Sequence, residues 1–246
     1  MSDSRVSPTS RRADVAAVLV TLVLPTLVTW LYFVVLNEAA ASLQQGVFTA
    51  GKVVQFAFPI VWVLAIQRRR LRLACPKAAG VIEGIVFGLA VLVLMLLLYH
   101  GWLKPGGHFR SAGEAICRKV AGFGIDTPAK YIFFGAFYSL AHSFLEEYYY
   151  RWFIFGQLRR MIPLSAAVVV SSLGFTAHHV IVLHLYFGWS WITLLFSAAI
   201  ALGGAAWAWI YHRGDSLVGP WMSHLLVDAA IFIIGYDLVG HLFTGA

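Results

Sequence analysis

Three long apolar stretches of this chain are interrupted by ionisable side chains: His142, Glu146, Glu147 and Arg151 in one, His178, His179 and His184 in another, His224 and Asp228 in a third. Ionisable groups in an apolar span are costly, so each is a functional hypothesis by default. Glu146 and Glu147 are adjacent, which on a helix points them about 100° apart. Arg151 lies four residues beyond Glu147 and shares its face, the spacing of a charge-assisted pair. Glu146 shares its face with His142 instead, has no local cation and must find partners on other helices. One carboxylate is thus assigned to structure and the other to chemistry.

His178 and His179 put two imidazoles near the middle of a span, and adjacent imidazoles in hydrocarbon need at least one polar cavity. His224 and Asp228 are four apart, so the carboxylate can fix the tautomer of the imidazole and raise its basicity. A carboxylate and imidazoles from three helices describe a polar pocket that holds water within a bilayer. Such a set can activate water as a general base and stabilise an oxyanion, which is hydrolytic chemistry. Ser143 and Ser223 lie close by in sequence, but no GxSxG elbow occurs, and the HExxH zinc signature is absent as well.

These side chains need helices to hold them, and the composition supplies them. Of 246 residues, 60% are hydrophobic and 12% charged, whereas soluble domains carry about 45–50% and about 25%. A water-soluble globule, a disordered chain and a fibrous repeat are excluded. The pattern predicts an all-α polytopic membrane protein, with about seven transmembrane helices around a polar intramembrane pocket. The expected spans are Val15–Leu36, Phe48–Ile66, Ala78–Tyr99, a long charged helix from Ala129 to Arg160, Pro163–Phe187, Trp189–Tyr211 and Leu217–Tyr236. Residues 1–128 form a three-span region whose long third loop carries an amphipathic piece at Arg110–Phe123. Residues 129–246 form a four-helix core within the same integrated membrane domain.

The net charge of +7 does not argue for nucleic acid, because the basic residues gather in short stretches between apolar runs. Arg5, Arg11, Arg12, Arg68–Arg70, Arg72, Lys77, Arg159, Arg160 and Arg213 fall on one side of the expected spans. Lys104, Arg110, Arg118 and Lys119 stand on the other. The excess places the N-terminus in the cytoplasm. The first apolar run is too long for the core of a signal peptide and reads as a retained span. Cys75 and Cys117 form no CxxC and specify no metal site.

In chain order, Glu146–Arg151 reads EExxxR, Phe175–His179 reads FxxxH and His224–Asp228 reads HxxxD. This trio resembles the CPBP family, the CAAX prenyl endopeptidases and bacteriocin-processing or Abi proteins, which are glutamate-dependent intramembrane proteases. The resemblance implies that Glu146 activates water, that His179 helps to hold it, and that His224 with Asp228 stabilises the oxyanion side. Glu147, Arg151, His142 and His178 stand in support. Family members often carry Asn where Asp228 stands, and an ionised Asp cannot donate a hydrogen bond. No cofactor is favoured. The family has also been called metalloprotease, and zinc, if bound, would be held by Glu146, His179 and His224.

The implied partners are the lipid bilayer and a membrane-anchored or lipidated protein substrate. The Tyr-rich form EEYYYRWF further resembles bacterial members associated with C-terminal sorting signals, which implies a bacterial inner or plasma membrane. Two other readings stay open. One is a non-catalytic family member serving immunity or scaffolding, against which the presence of Glu146 weighs. The other is a proton-coupled transporter using the same residues as a relay, against which the lack of internal repeats weighs.

Overall fold

The computed structural model describes residues 10–70 and 75–243. Arg5 and Arg72, which enter the charge count, lie outside them. The described residues form eight helices and no strand. Six are long and apolar enough to cross a membrane: α1 (Arg11–Val35), α2 (Ala41–Ile66), α3 (Ala78–Leu103), α6 (Leu164–Phe187), α7 (Trp191–Gly214) and α8 (Val218–Phe243). The short α4 (Arg110–Gly122) occupies the amphipathic piece of the third loop. The remaining helix, α5, covers 128–158.

Thr127 caps the start of α5 by accepting from the Lys130 amide, and Pro128 occupies its first turn. From there α5 is built of short α-helical runs separated by π-helical turns at Tyr138–His142 and Tyr148–Phe155. The charges of Glu146, Glu147 and Arg151, close together in the middle of the helix, set it apart from the six spans. Phe187, at the end of α6, packs against Phe109 beside α4 with ring centroids 5.2 Å apart.

Two compact units interleave along the chain. The first comprises Met1–Cys75, Tyr148–Val182 and Leu195–Ala208. Its helices are joined by neutral and singly charged hydrogen-bonding groups. Gln67 Nε2 donates to Asp14 Oδ1 at 2.8 Å, as Trp62 Nε1 does at 3.2 Å, and Gln67 also exchanges amide contacts with Gln157. Tyr149 donates its hydroxyl proton to the Thr21 carbonyl at 2.8 Å. In hydrocarbon, where backbone and side-chain polar groups have no water, such internal partners are obligatory.

The second unit comprises Pro76–Glu147, Leu183–Leu194 and Trp209–Ala246. Here α3 and α8 cross over small residues. Gly80, Gly84 and Gly88 recur every fourth position on α3, as do Gly219 and Ser223 on α8. A Cβ at Gly84 would enter the Gly219 backbone, and one at Gly88 would sit 2.8 Å from Ser223 Cα. Lipid gives helices no hydrophobic reason to associate, so close van der Waals approach of this kind drives the contact. Arg213–Glu83 at 3.3 Å and Lys104–Asp237 at 2.6 Å join the opposite ends. Tyr131 donates to the Phe232 carbonyl and Trp221 Nε1 to the Leu140 carbonyl, which binds α5 to α8. Ile116, Cys117 and Val120 of α4 cover a cluster formed by Ile125, Tyr131 and Val239, the apolar face expected of an amphipathic helix.

Candidate intramembrane active site

Ser223, wedged against Gly88, fixes the height of its neighbour His224 on α8. The Trp221–Leu140 bond holds the same stretch of α8 against the turn of α5 that precedes the glutamates. The result is a desolvated cluster in the second unit: Glu146 is 3% exposed, Glu147 0% and His224 4%. At this burial their mutual contacts are barely screened.

His224 Nδ1 lies 2.7 Å from Glu147 Oε1. An ionised carboxylate only accepts, so Nδ1 carries the proton and Nε2 is the working nitrogen. Nε2 faces Glu146 Oε2 at 3.7 Å and Asp228 Oδ1 at 3.6 Å. Both separations exceed a direct hydrogen bond and are spans that one water can bridge. The other oxygen of Glu146 lies 3.9 Å from His142 Nε2. Glu146 therefore sits between two imidazoles, while Glu147 holds one of them from behind.

In the first unit, His179 Nδ1 is 2.9 Å from the Phe175 carbonyl. The carbonyl can only accept, so Nε2 of His179 is the acceptor nitrogen. This gives the FxxxH spacing a physical meaning, because one helical turn separates the ring from the carbonyl that orients it. His178 Nδ1 lies 3.2 Å from the buried Tyr150 hydroxyl. Arg151, 2% exposed, donates to the Gly204 carbonyl at 3.3 Å. Its guanidinium lies over Phe175 at 4.6 Å and Trp207 at 5.0 Å, a desolvated cation–π arrangement. His184 packs instead on Trp189 near the end of α6, with ring centroids 4.3 Å apart.

The second unit thus gathers Glu146, Glu147, His142, His224 and Asp228, and the first carries Arg151, His178 and His179. Sequence spacing did not disclose the Glu147–His224 contact, which joins residues 77 apart. Nor did it disclose Tyr150, whose hydroxyl orients His178. The only available hint was the run of three tyrosines after the glutamates.

Within the second unit, Glu146 Oε2 and His224 Nε2, 3.7 Å apart, could supply two ligands of a metal. Two ligands of a tetrahedral zinc with bonds of about 2.0–2.1 Å stand about 3.3 Å apart, close to the present Glu146–His224 spacing. A carboxylate behind Nδ1 is the outer-sphere partner that metal-bound imidazoles use.

Fold and site define a polytopic all-α membrane protein with a buried carboxylate–imidazole cluster. Residues 128–230 match the family described as type II CAAX prenyl endopeptidase Rce1-like, a similarity that supports the resemblance to the CPBP family read from the motifs. The matched region contains all three motifs. No curated protein and no solved structure matches the chain.

Proposed function

We propose that the protein is an intramembrane endopeptidase that hydrolyses a peptide bond near the C-terminus of a membrane-anchored or lipidated protein, with water activated by Glu146. The observation that carries this reading is the placement of His224 between Glu147 on one nitrogen and Glu146 with Asp228 on the other. Glu146 takes a proton from water as it attacks the carbonyl carbon. His224, protonated on both nitrogens before the attack, keeps Nδ1–H on Glu147 and turns Nε2–H toward the oxyanion. Glu146 then returns the proton to the leaving amine. Asp228 lies 3.6 Å from Nε2 and sets negative charge beside the imidazolium without taking its proton. The resemblance assigns His179 to the same water, and its Nε2 has the lone pair for that role. Residues 129–246 carry this chemistry.

Terminal proteomics of a deletion strain against wild type tests the reading. Anchored proteins, including any with a C-terminal sorting signal, should keep an uncleaved C-terminal segment in the deletion strain. Identical termini in both strains would remove the protease assignment.

The glutamate–water reading needs no metal. Purified active protein should contain well under one zinc per chain by elemental analysis and keep its activity through chelation. One zinc per chain, with activity lost on removal and restored on return, would transfer Glu146, His179 and His224 to the role of ligands.

The excess of basic residues supports a cytoplasmic N-terminus. A reporter fused within Arg68–Arg70 should then read cytoplasmic and one at His108 external. Opposite readings at both positions would invert the orientation.

A further inference from the structure

A second polar feature lies at the other end of the second unit, away from the glutamates. Where α3 and α8 finish, α4 leaves a cleft of about 660 Å³. Its walls include Lys104, Phe109, Arg110, Glu114, Arg118 and His241. We propose that this cleft binds the phosphodiester headgroup of an anionic phospholipid.

Level comes first. Trp102, Trp189 and Trp191 are exposed at this end, at 49%, 80% and 46%. The Trp102 and Trp191 rings stack with centroids 5.1 Å apart. Exposed indoles at the ends of membrane spans mark the depth of lipid headgroups. A cleft beside them opens where phosphates lie.

Charge comes second. Lys104 is held by Asp237 at 2.6 Å, so that pair contributes no net charge. Arg110 and Arg118 lie one turn to either side of Glu114 on α4, all three are exposed, and among the described residues neither arginine is within ion-pair distance of a carboxylate. The α4 face therefore offers one net positive charge with two guanidinium forks, which matches a monoanionic phosphodiester. Phe109 and Leu238 give the cleft apolar wall for the glycerol backbone and the first carbons of an acyl chain. Basic pockets beside transmembrane helices recognise acidic headgroups on the same grounds.

The test uses the full chain in detergent and native mass spectrometry. Phosphatidylglycerol and phosphatidylcholine with the same acyl chains are titrated separately, and glycerol 3-phosphate supplies the phosphate without the lipid. The wild type should retain phosphatidylglycerol over phosphatidylcholine. Replacing both arginines, Arg110→Gln with Arg118→Gln, should weaken phosphatidylglycerol binding by about thirtyfold and leave phosphatidylcholine unchanged. Glu114→Gln should tighten it several-fold, about fivefold for one removed negative charge. The exposed side chains of α4 permit both variants to fold, which unchanged melting confirms. Equal retention of the two lipids would overturn the proposal. So would a preference that survives the double arginine variant, or one that falls equally in Arg159→Gln with Arg160→Gln. Tighter binding of glycerol 3-phosphate than of phosphatidylglycerol would assign the cleft to a soluble phosphate and overturn the lipid.

Discussion

Glu146→Gln should accumulate like the wild type, melt close to it in detergent and fail to cleave. The substitution keeps the shape of the side chain and removes the base. The contacts Glu146 makes with His224 and His142, at 3.7 and 3.9 Å, are longer than hydrogen bonds, and the isosteric amide preserves their geometry. It also shares a desolvated cluster with Glu147 and Asp228, and neutralising one of three converging carboxylates relieves their repulsion. Loss of a positioned general base typically slows a reaction by about 10²–10⁴-fold. In the deletion strain, this variant should leave the same C-termini uncleaved as the empty vector. Substantial cleavage would take Glu146 out of the catalytic role.

Glu147→Gln should behave differently, with a lower folded yield and a lower melting temperature as well as lost activity. Glu147 is fully buried and its Oε1 sits 2.7 Å from His224 Nδ1. Removing one partner of a buried pair costs about 3–5 kcal/mol, because the other is left desolvated and uncompensated. The neutral amide also loses the charge-assisted part of the bond to the imidazole, and with it the orientation of Nε2. Comparing the two variants by fluorescence-detected size exclusion and thermal melting separates the glutamates. An equal loss of stability in both would contradict the division of labour between them.

Much of the fold was legible in the residues, for a reason particular to lipid. A bilayer demands long runs without charge, and each such run between Val15 and Tyr236 became a helix. Boundaries were less readable. The helix α2 starts at Ala41, well before the expected Phe48, because Gln44 turns its amide to the Tyr32 carbonyl at 2.9 Å. Polar residues that looked like a loop are thereby tied to α1 and stay helical. The motif residues were legible as violations of apolarity, since a desolvated charge must have a purpose. Their partners were not. HxxxD encodes a contact one turn apart, whereas the bond between Glu147 and His224 depends on how closely Gly88 lets α8 approach α3. The π-helical turns of α5 were equally hidden, since no residue type marks them.

Those turns alter how a change of length in the gene would be felt. A π-helical turn holds one residue more than the α-helical turn it replaces, so Tyr138–His142 is an extra residue absorbed without a loop. Deleting the single codon for Ala141 would let this turn relax to α-helix. Every later residue of α5 would then rotate by about 100° relative to Tyr131 and Phe134. Glu146 and Glu147 would leave His224, although no catalytic side chain had been touched. The helix thus has a reading frame of its own, and a one-codon slip at an alanine is as damaging as loss of the glutamate it aims.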